Sequence, residues 1–349
     1  MNDSPSTSSS IPTSIPGTLS DFFEQAQLDY SIYNIGRRVA AVSKEEFRTF
    51  EEIKSPWATP LKATARLALM LRAKAQPAEE AVVWCIALPL DEHGLLIPDA
   101  RDTFLHRLLE QLGTRPQGEA LQDPLKDNPL AFRPDNYSLA ALHALASRNN
   151  NLPQSKGIAL ARAYYSGENN TNERPVDWTS LDYQSVADLC LALTPALEER
   201  IAKQLPTLPD APLEALCRML EHFPSNNEAL QKALLARAEE EENQRINVLR
   251  AILSGQSETA VNTLDHLLKG PLSVEELAII SAKGWQLLEH EERLTTYLNA
   301  LAENPSIDFI ACIKDLAQLA RLRLPVIMML QQAQDESVLK KRLKASLGQ

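Results

Sequence analysis

From Ser180 to Leu347 the chain reads as a row of short amphipathic segments, and this pattern constrains the fold more than any other feature. Helix starts are expected near Tyr183, Pro195, Pro212, Asn227, Gln244, Glu258, Val274, Glu291, Ile307, Leu324 and Ser337. Pairs of segments recur every ~27 to 34 residues, within the range of helical-hairpin repeats. One hairpin of this length buries too little apolar surface to offset its ordering entropy, so neighbours must stack. Leu213, Leu216, Leu220, Leu264, Leu267, Leu268, Leu287, Leu294, Leu298, Leu316 and Leu319 fall at helical spacing and are expected to form the shared core. The match is one of period and polarity. No residue-level consensus repeats, and a degenerate HEAT-like α-helical solenoid is the expectation.

Composition agrees with a helical protein. Leu and Ala are abundant, aromatics are only 5% and Gly numbers 11 against 22 Pro, a balance that favours helices stopped by proline. The formal charge is −11. From Ser180 onward there are 17 basic and 24 acidic residues (17 − 24 = −7), and the first 179 residues carry 18 and 22 (18 − 22 = −4). Neither half has the positive excess that releases counterions from a nucleic-acid backbone, so nucleic acid is an unlikely partner. Cys85, Cys190, Cys217 and Cys312 lie far apart, with no Cys-x-x-Cys and no Cys/His cluster. They read as small buried hydrophobes of a reducing compartment, and no metal or organic cofactor is expected. The start, MNDSPSTSSSIPTSIPG, has neither the basic nor the apolar region of a secretory signal, and no apolar run approaches membrane-spanning length. The expectation is a cytoplasmic protein.

The first third has a different texture. Residues 1–17 are Ser-, Thr- and Pro-rich and are expected to be a disordered tail. Residues 18–113 read as an α+β domain with a small antiparallel sheet. Thr18 or Ser20 can cap a helix, Asp29 to Ile35 alternates as a strand, and Gly36 can turn the chain into a second strand from Arg38 to Val42. Ser43-Lys44-Glu45-Glu46 has the spacing of a capping box. Leu67, Leu69 and Leu71 alternate with Arg66, Ala68, Met70 and Arg72, which predicts a half-buried strand. Val82 to Leu90 is apolar enough to predict a central strand, and Asp99 opens a helix that Gly113 ends. Residues 114–136, with Pro116, Pro124, Pro129 and Pro134, read as a linker or a strapped extended segment, and 137–349 as the helical-repeat domain. Trp84, Trp178 and Trp285 are expected in cores, and Trp57, between two prolines, at the surface.

Candidate binding residues are few, and each has a plainer rival. Tyr33, Gly36, Arg37 and Arg38 sit at the end of a strand, where two arginines on a glycine turn could hold a phosphate or carboxylate; the rival is an exposed hairpin turn. Asp91, Glu92 and His93, with Arg101 and Asp102 beyond, could form an acid–base or binding set; the rival is a solvated turn followed by acids in a first helical turn. No nucleotide-binding glycine motif, paired-histidine spacing or catalytic residue set is present.

The stretch LSDFFEQAQLDYSIYNIGRR, followed by VVWCIALPLDEHGLLIPDARDTFLHRLLEQLG, resembles a gammaproteobacterial family catalogued as a domain of unknown function. Tyr30, Tyr33, Gly36, Arg37, Arg38, Leu88, Pro89, Leu90, Asp91, Glu92, Gly94, Arg101 and Asp102 fit its pattern. Asn34 stands where that pattern has an acid, which removes a carboxylate next to the arginines. The resemblance covers nearly the whole chain after the tail. It implies a bacterial cytoplasmic protein and supplies no activity. The leading functional expectation is a non-enzymatic interaction or scaffold protein with an unidentified protein partner. The alternatives are an anion- or small-molecule-binding protein or enzyme centred on Arg37/Arg38 and Asp91–Asp102, and an RNA- or ribosome-associated factor.

Overall fold

A computed structural model describes residues 16–74, 76–77, 80–112, 125, 128–168 and 177–346. Among these, four strands form one antiparallel sheet: β1 (Leu28–Ile35), β2 (Val39–Val42), β3 (Thr64–Ala73) and β4 (Val82–Pro89), in the order β2-β1-β3-β4. Helices α1 (Leu19–Gln25), α2 (Lys44–Glu51) and α3 (Pro98–Leu112) accompany it. The side-chain period of two splits each strand between two cores. Leu28, Tyr30, Ile32, Leu67, Leu69, Leu71, Trp84, Ile86 and Leu88 face α1–α3. Tyr33, Ile35, Val39, Ala68 and Cys85 face the other way, into the core of the helical part. The α+β part and the helical part thus share an apolar interface made by the second face of the sheet.

Among the described residues thirteen α-helices follow: α4 (Asn136–Asn149), α5 (Ile158–Ser166), α6 (Tyr183–Leu191), α7 (Pro195–Gln204), α8 (Asp210–Leu220), α9 (Glu228–Glu240), α10 (Arg245–Leu253), α11 (Glu258–Leu267), α12 (Val274–Lys283), α13 (Glu291–Glu303), α14 (Phe309–Ala317), α15 (Ala320–Gln332) and α16 (Val338–Ser346). Their starts lie within a few residues of expectation because the signals are local. Asp135, Asp182, Thr194, Asn227, Ser257, Ser273 and Asp308 each cap a helix by accepting a first-turn N–H, and Ser273 with Glu276 completes a capping box. Packing alternates. Helices α4, α6, α8, α10 and α12 contact in succession to form one layer, and α5, α7, α9 and α11 form a second. The leucines expected in the shared core are buried in one continuous cluster, with Leu268 partly buried against it. No helix among the described residues is long and apolar enough to cross a membrane.

Several expectations fail for tertiary reasons. The Val82–Leu90 segment is an edge strand, not a central one, yet its faces are covered and its free edge is occupied. Ala87 donates to Leu130 O (2.8 Å) and Phe132 donates to Cys85 O (3.2 Å). Asn128 to Phe132, the described end of the expected linker, is therefore strapped along β4; residues 113–124 and 126–127 lie outside the described residues, as do residues 1–15 of the expected tail. Trp57 is 2% exposed rather than at the surface, because its ring packs on Phe50 and its backbone N–H donates to Gly94 O. Trp178, expected in a core, is 40% exposed in a short 3₁₀ turn. Pro325 lies inside α15, which begins at Ala320, four residues before the expected start. Buried Leu322 and Val326 hold that helix against its neighbours despite the lost backbone donor.

Candidate functional site

The turn between β1 and β2 is driven into the helical layers. Asn34 stabilises it locally: its side chain donates to Arg38 O (2.7 Å) and accepts from Gly36 N (3.3 Å). Arg37 is 2% exposed, which corrects the expectation of an outward-pointing arginine pair. Its guanidinium donates to Pro60 O (2.7 Å), Ser281 O (2.8 Å) and Asp315 Oδ2 (2.6 Å). These acceptors come from the sheet loop, the end of α12 and α14, so Arg37 clamps sheet to helices. Arg38 departs in another direction. It donates to Ser254 O and lines a separate polar cleft of about 300 Å³ with Ser254, Ser257 and Gln286. The two arginines do not form one bidentate pair. Tyr33 is also a core residue: burial raises its phenol, and hydrogen bonding with Asn149, Ser31 and Asn150 offsets part of the rise.

The second candidate set is not assembled. Asp91 Oδ1 accepts from His93 N and Leu95 N, both at 2.8 Å, and so shapes the turn that Gly94 completes at φ 74°. Glu92 and His93 are exposed. Arg101 is buried between α2 and α3, donating to Glu51 O (2.6 Å) and Asp102 Oδ1 (2.8 Å). No hydrogen bond or ion pair among the described residues joins Asp91–His93 to Arg101 or Asp102. The turn instead docks on the far helices, where Arg323 donates to His93 O and Gln318 Nε2 to Asp91 O.

Around Arg37 the fold gathers a charged cluster with no local sequence signal. Glu221, at the end of α8, is buried and paired with Lys283 Nζ (3.0 Å) and Arg250 Nε (2.7 Å). Lys283 also donates to Arg37 O (2.8 Å). His222 is buried, and its Nδ1 accepts from Val39 N (3.2 Å), tying β2 to α8. Burial pushes the Glu221 carboxyl up, but Lys283, the charged form of His222, Arg250 and Arg218 pull it down to about 2. Burial lowers His222 to about 3, against the attraction of Glu221. Its ring is therefore neutral at pH 7.

Beside this cluster lies a cavity of about 240 Å³ between the sheet and the helices. Arg37, Arg66, Arg133, Arg218, Arg250 and Lys283 line it, with Asp135 and Glu221 as the acids. Gly36 and Arg37 are the only members that sequence patterning singled out as candidates. Arg66 was legible as lying on the face of β3 opposite Leu67, but that face is covered by helices rather than by water.

An antiparallel α+β part docked by one sheet face and one arginine turn onto a two-layered helical part is the class that this geometry defines. The chain matches the family described as "Protein of unknown function (DUF3549)" over residues 15–346 and belongs to that family. No curated protein and no solved structure matches it.

Proposed function

We propose that this is a non-enzymatic protein-interaction or scaffold protein whose helical part is a degenerate HEAT-like solenoid. The observation that carries the reading is an apolar ridge on α15. Leu324 (64% exposed), Ile327 (40%) and Met328 (43%) fall at i, i+3 and i+4 on one helix face, and Val338 (45%) begins the next helix. Contiguous exposed apolar side chains at this spacing are the mark of a contact surface. Methionine adapts such a surface to its partner. The alternating layers of α4–α12 support the solenoid reading, since each helix pair is buried by the next.

The thiols support a non-catalytic role. Burial raises Cys85 to about 11 and pushes Cys190 and Cys217 higher still, so none of these three is an activated nucleophile. The experiment is crosslinking of the full chain in its native cells, followed by mass spectrometry, with wild type beside Leu324→Asp/Met328→Asp. Exposed substitutions change stability by roughly 0.5 kcal/mol or less, so the variant keeps its fold. A defined protein that crosslinks at α15 in wild type and is lost in the variant is the expected result. A partner set unchanged by the substitutions, or a ridge occupied only by a second copy of the chain, would refute the scaffold reading.

A further inference from the structure

We propose that the cavity between the sheet and the helices is a binding site for a small, soluble phosphate-bearing anion. The site is separate from the apolar ridge on α15 and uses none of its residues. The argument begins with charge. Six cationic side chains and two carboxylates line the cavity (6 − 2 = +4), in a chain whose net charge is −11. Counting Asp315, the partner of Arg37 outside the lining, still leaves a surplus (6 − 3 = +3). Like charges are not gathered in a partly enclosed space without a counter-charge, because their repulsion is poorly screened there.

The surplus is localised. Arg37 is fully occupied by Pro60, Ser281 and Asp315. Arg250 and Lys283 share Glu221. Asp135 is committed to capping α4, accepting from Tyr137 N, Ser138 N and Ser138 Oγ, each at 3.0 Å. Arg218 reaches Asp135 only through a long 3.4 Å contact from Nη2. Among the described residues the side chains of Arg66 and Arg133 make no hydrogen bond or ion pair, the pairing of Arg66 with Ala87 being one of backbone only. The least compensated charge therefore lies on Arg66 from β3, Arg133 just beyond the strap along β4, and Arg218 from α8, whose one ion pair is that long contact.

Two of these guanidiniums also carry an orphaned donor. Arg66 Nε and Arg218 Nε are buried with no hydrogen-bond partner. A buried N–H of this kind costs stability unless an acceptor is supplied. Each guanidinium lies over a ring, Arg66 over Phe132 (5.2 Å) and Arg218 over Tyr137 (4.7 Å). Stacking fixes the plane and leaves the in-plane N–H edges for an acceptor, so the forks are oriented before the ligand arrives.

A phosphate monoester fits this donor set. Its dianion neutralises two charges, and its three terminal oxygens match several arginine forks at once. A carboxylate offers two oxygens and one charge and would leave one fork unmet. A nucleic-acid backbone needs a continuous basic track, and this cavity is confined between sheet and helices. Because Arg66 belongs to the α+β part and Arg218 to the helical part, the anion would also bridge the two and stabilise their docking.

The test uses the full chain, with inorganic phosphate and phenyl phosphate as probes. Isothermal titration and thermal melts are run against acetate and chloride at equal ionic strength. One-to-one saturable binding of the phosphate probes, with a raised melting temperature, is expected, and neither control should bind. Arg66→Gln/Arg133→Gln should weaken phosphate binding by about tenfold to a hundredfold, the loss of one or two charge-assisted hydrogen bonds. Without phosphate the double variant should melt at the same temperature or higher, since it relieves repulsion; a structural pair would melt lower. If the double variant does not fold, Arg133→Gln alone decides, because that exposed side chain has no partner to lose. Absence of saturable phosphate binding, acetate binding as tightly as phosphate, unchanged binding in the variants, or capture of phosphatidic-acid vesicles in place of the soluble probes would each overturn the assignment.

Discussion

Lowering the pH from 7 to 5 should weaken this fold chiefly through one side chain, His222. The imidazole is buried, accepts the Val39 N–H at Nδ1, and is lowered from its ordinary value of 6.5 to about 3. Glu221, Asp135, Lys283 and Arg218 act on it. The folded pKa lies below the unfolded one, so between about 6.5 and 3 the unfolded chain takes up a proton that the folded chain refuses. Stability therefore falls as pH falls through that window. At pH 5 the two values imply a loss of about 2 kcal/mol relative to pH 7. Glu221, whose folded value is about 2 against 4.5, contributes stability that is present above 4.5 and is lost as pH falls toward 2. Over the step from 7 to 5 its loss is only about 0.2 kcal/mol by the same linkage. Glu51 works in the opposite sense: burial raises its carboxyl, so its native form gains on acidification. The assay is urea denaturation at both pH values for wild type and His222→Asn, followed by circular dichroism. The Asn side chain can still accept from Val39 N, and any packing loss is common to both pH values. The variant should lose most of the pH 7-to-5 difference. Equal losses in wild type and variant would refute the assignment of the acid sensitivity to this buried ring.

Three further outcomes are expected. Arg37→Met should destabilise by about 3–5 kcal/mol, because it leaves Asp315 partly buried without its cation; a melting temperature within error of wild type would place the clamp elsewhere. Leu264→Ala should cost about 2–5 kcal/mol, since Leu264 is fully buried in the core shared by successive helices, and the far-ultraviolet dichroism on heating should report the loss. Cys190 and Cys217, buried with raised thiols, should resist a thiol reagent at neutral pH until the chain is unfolded by urea; labelling at the rate of a free thiol would show that these seams open in the native state.

Much of the helical part was legible because its determinants are local. Capping side chains such as Thr194, Asn227 and Ser273 act within three residues, and the leucine spacing that marks a buried stripe needs only two turns of helix. The strands were legible for the same reason, since alternation assigns Leu67 and Arg66 to opposite faces. Alternation does not say what covers the second face. Arg37 and Arg38 read as surface residues because their acceptors, Ser281, Asp315 and Ser254, lie more than two hundred residues away in sequence. Trp57 and Trp178 exchanged their expected places for a related reason: ring partners such as Phe50, not flanking residues, decide whether an indole is buried. The candidate site follows the same division. Gly36 and Arg37 stood out as a motif, whereas Arg66, Arg133, Arg218, Arg250 and Lys283 are ordinary charges on separate segments. They become a single cationic cavity only because the second sheet face packs on the helices and carries β3, the strap and α8 to one place. Local physics wrote the elements; long-range burial decided which charges would meet.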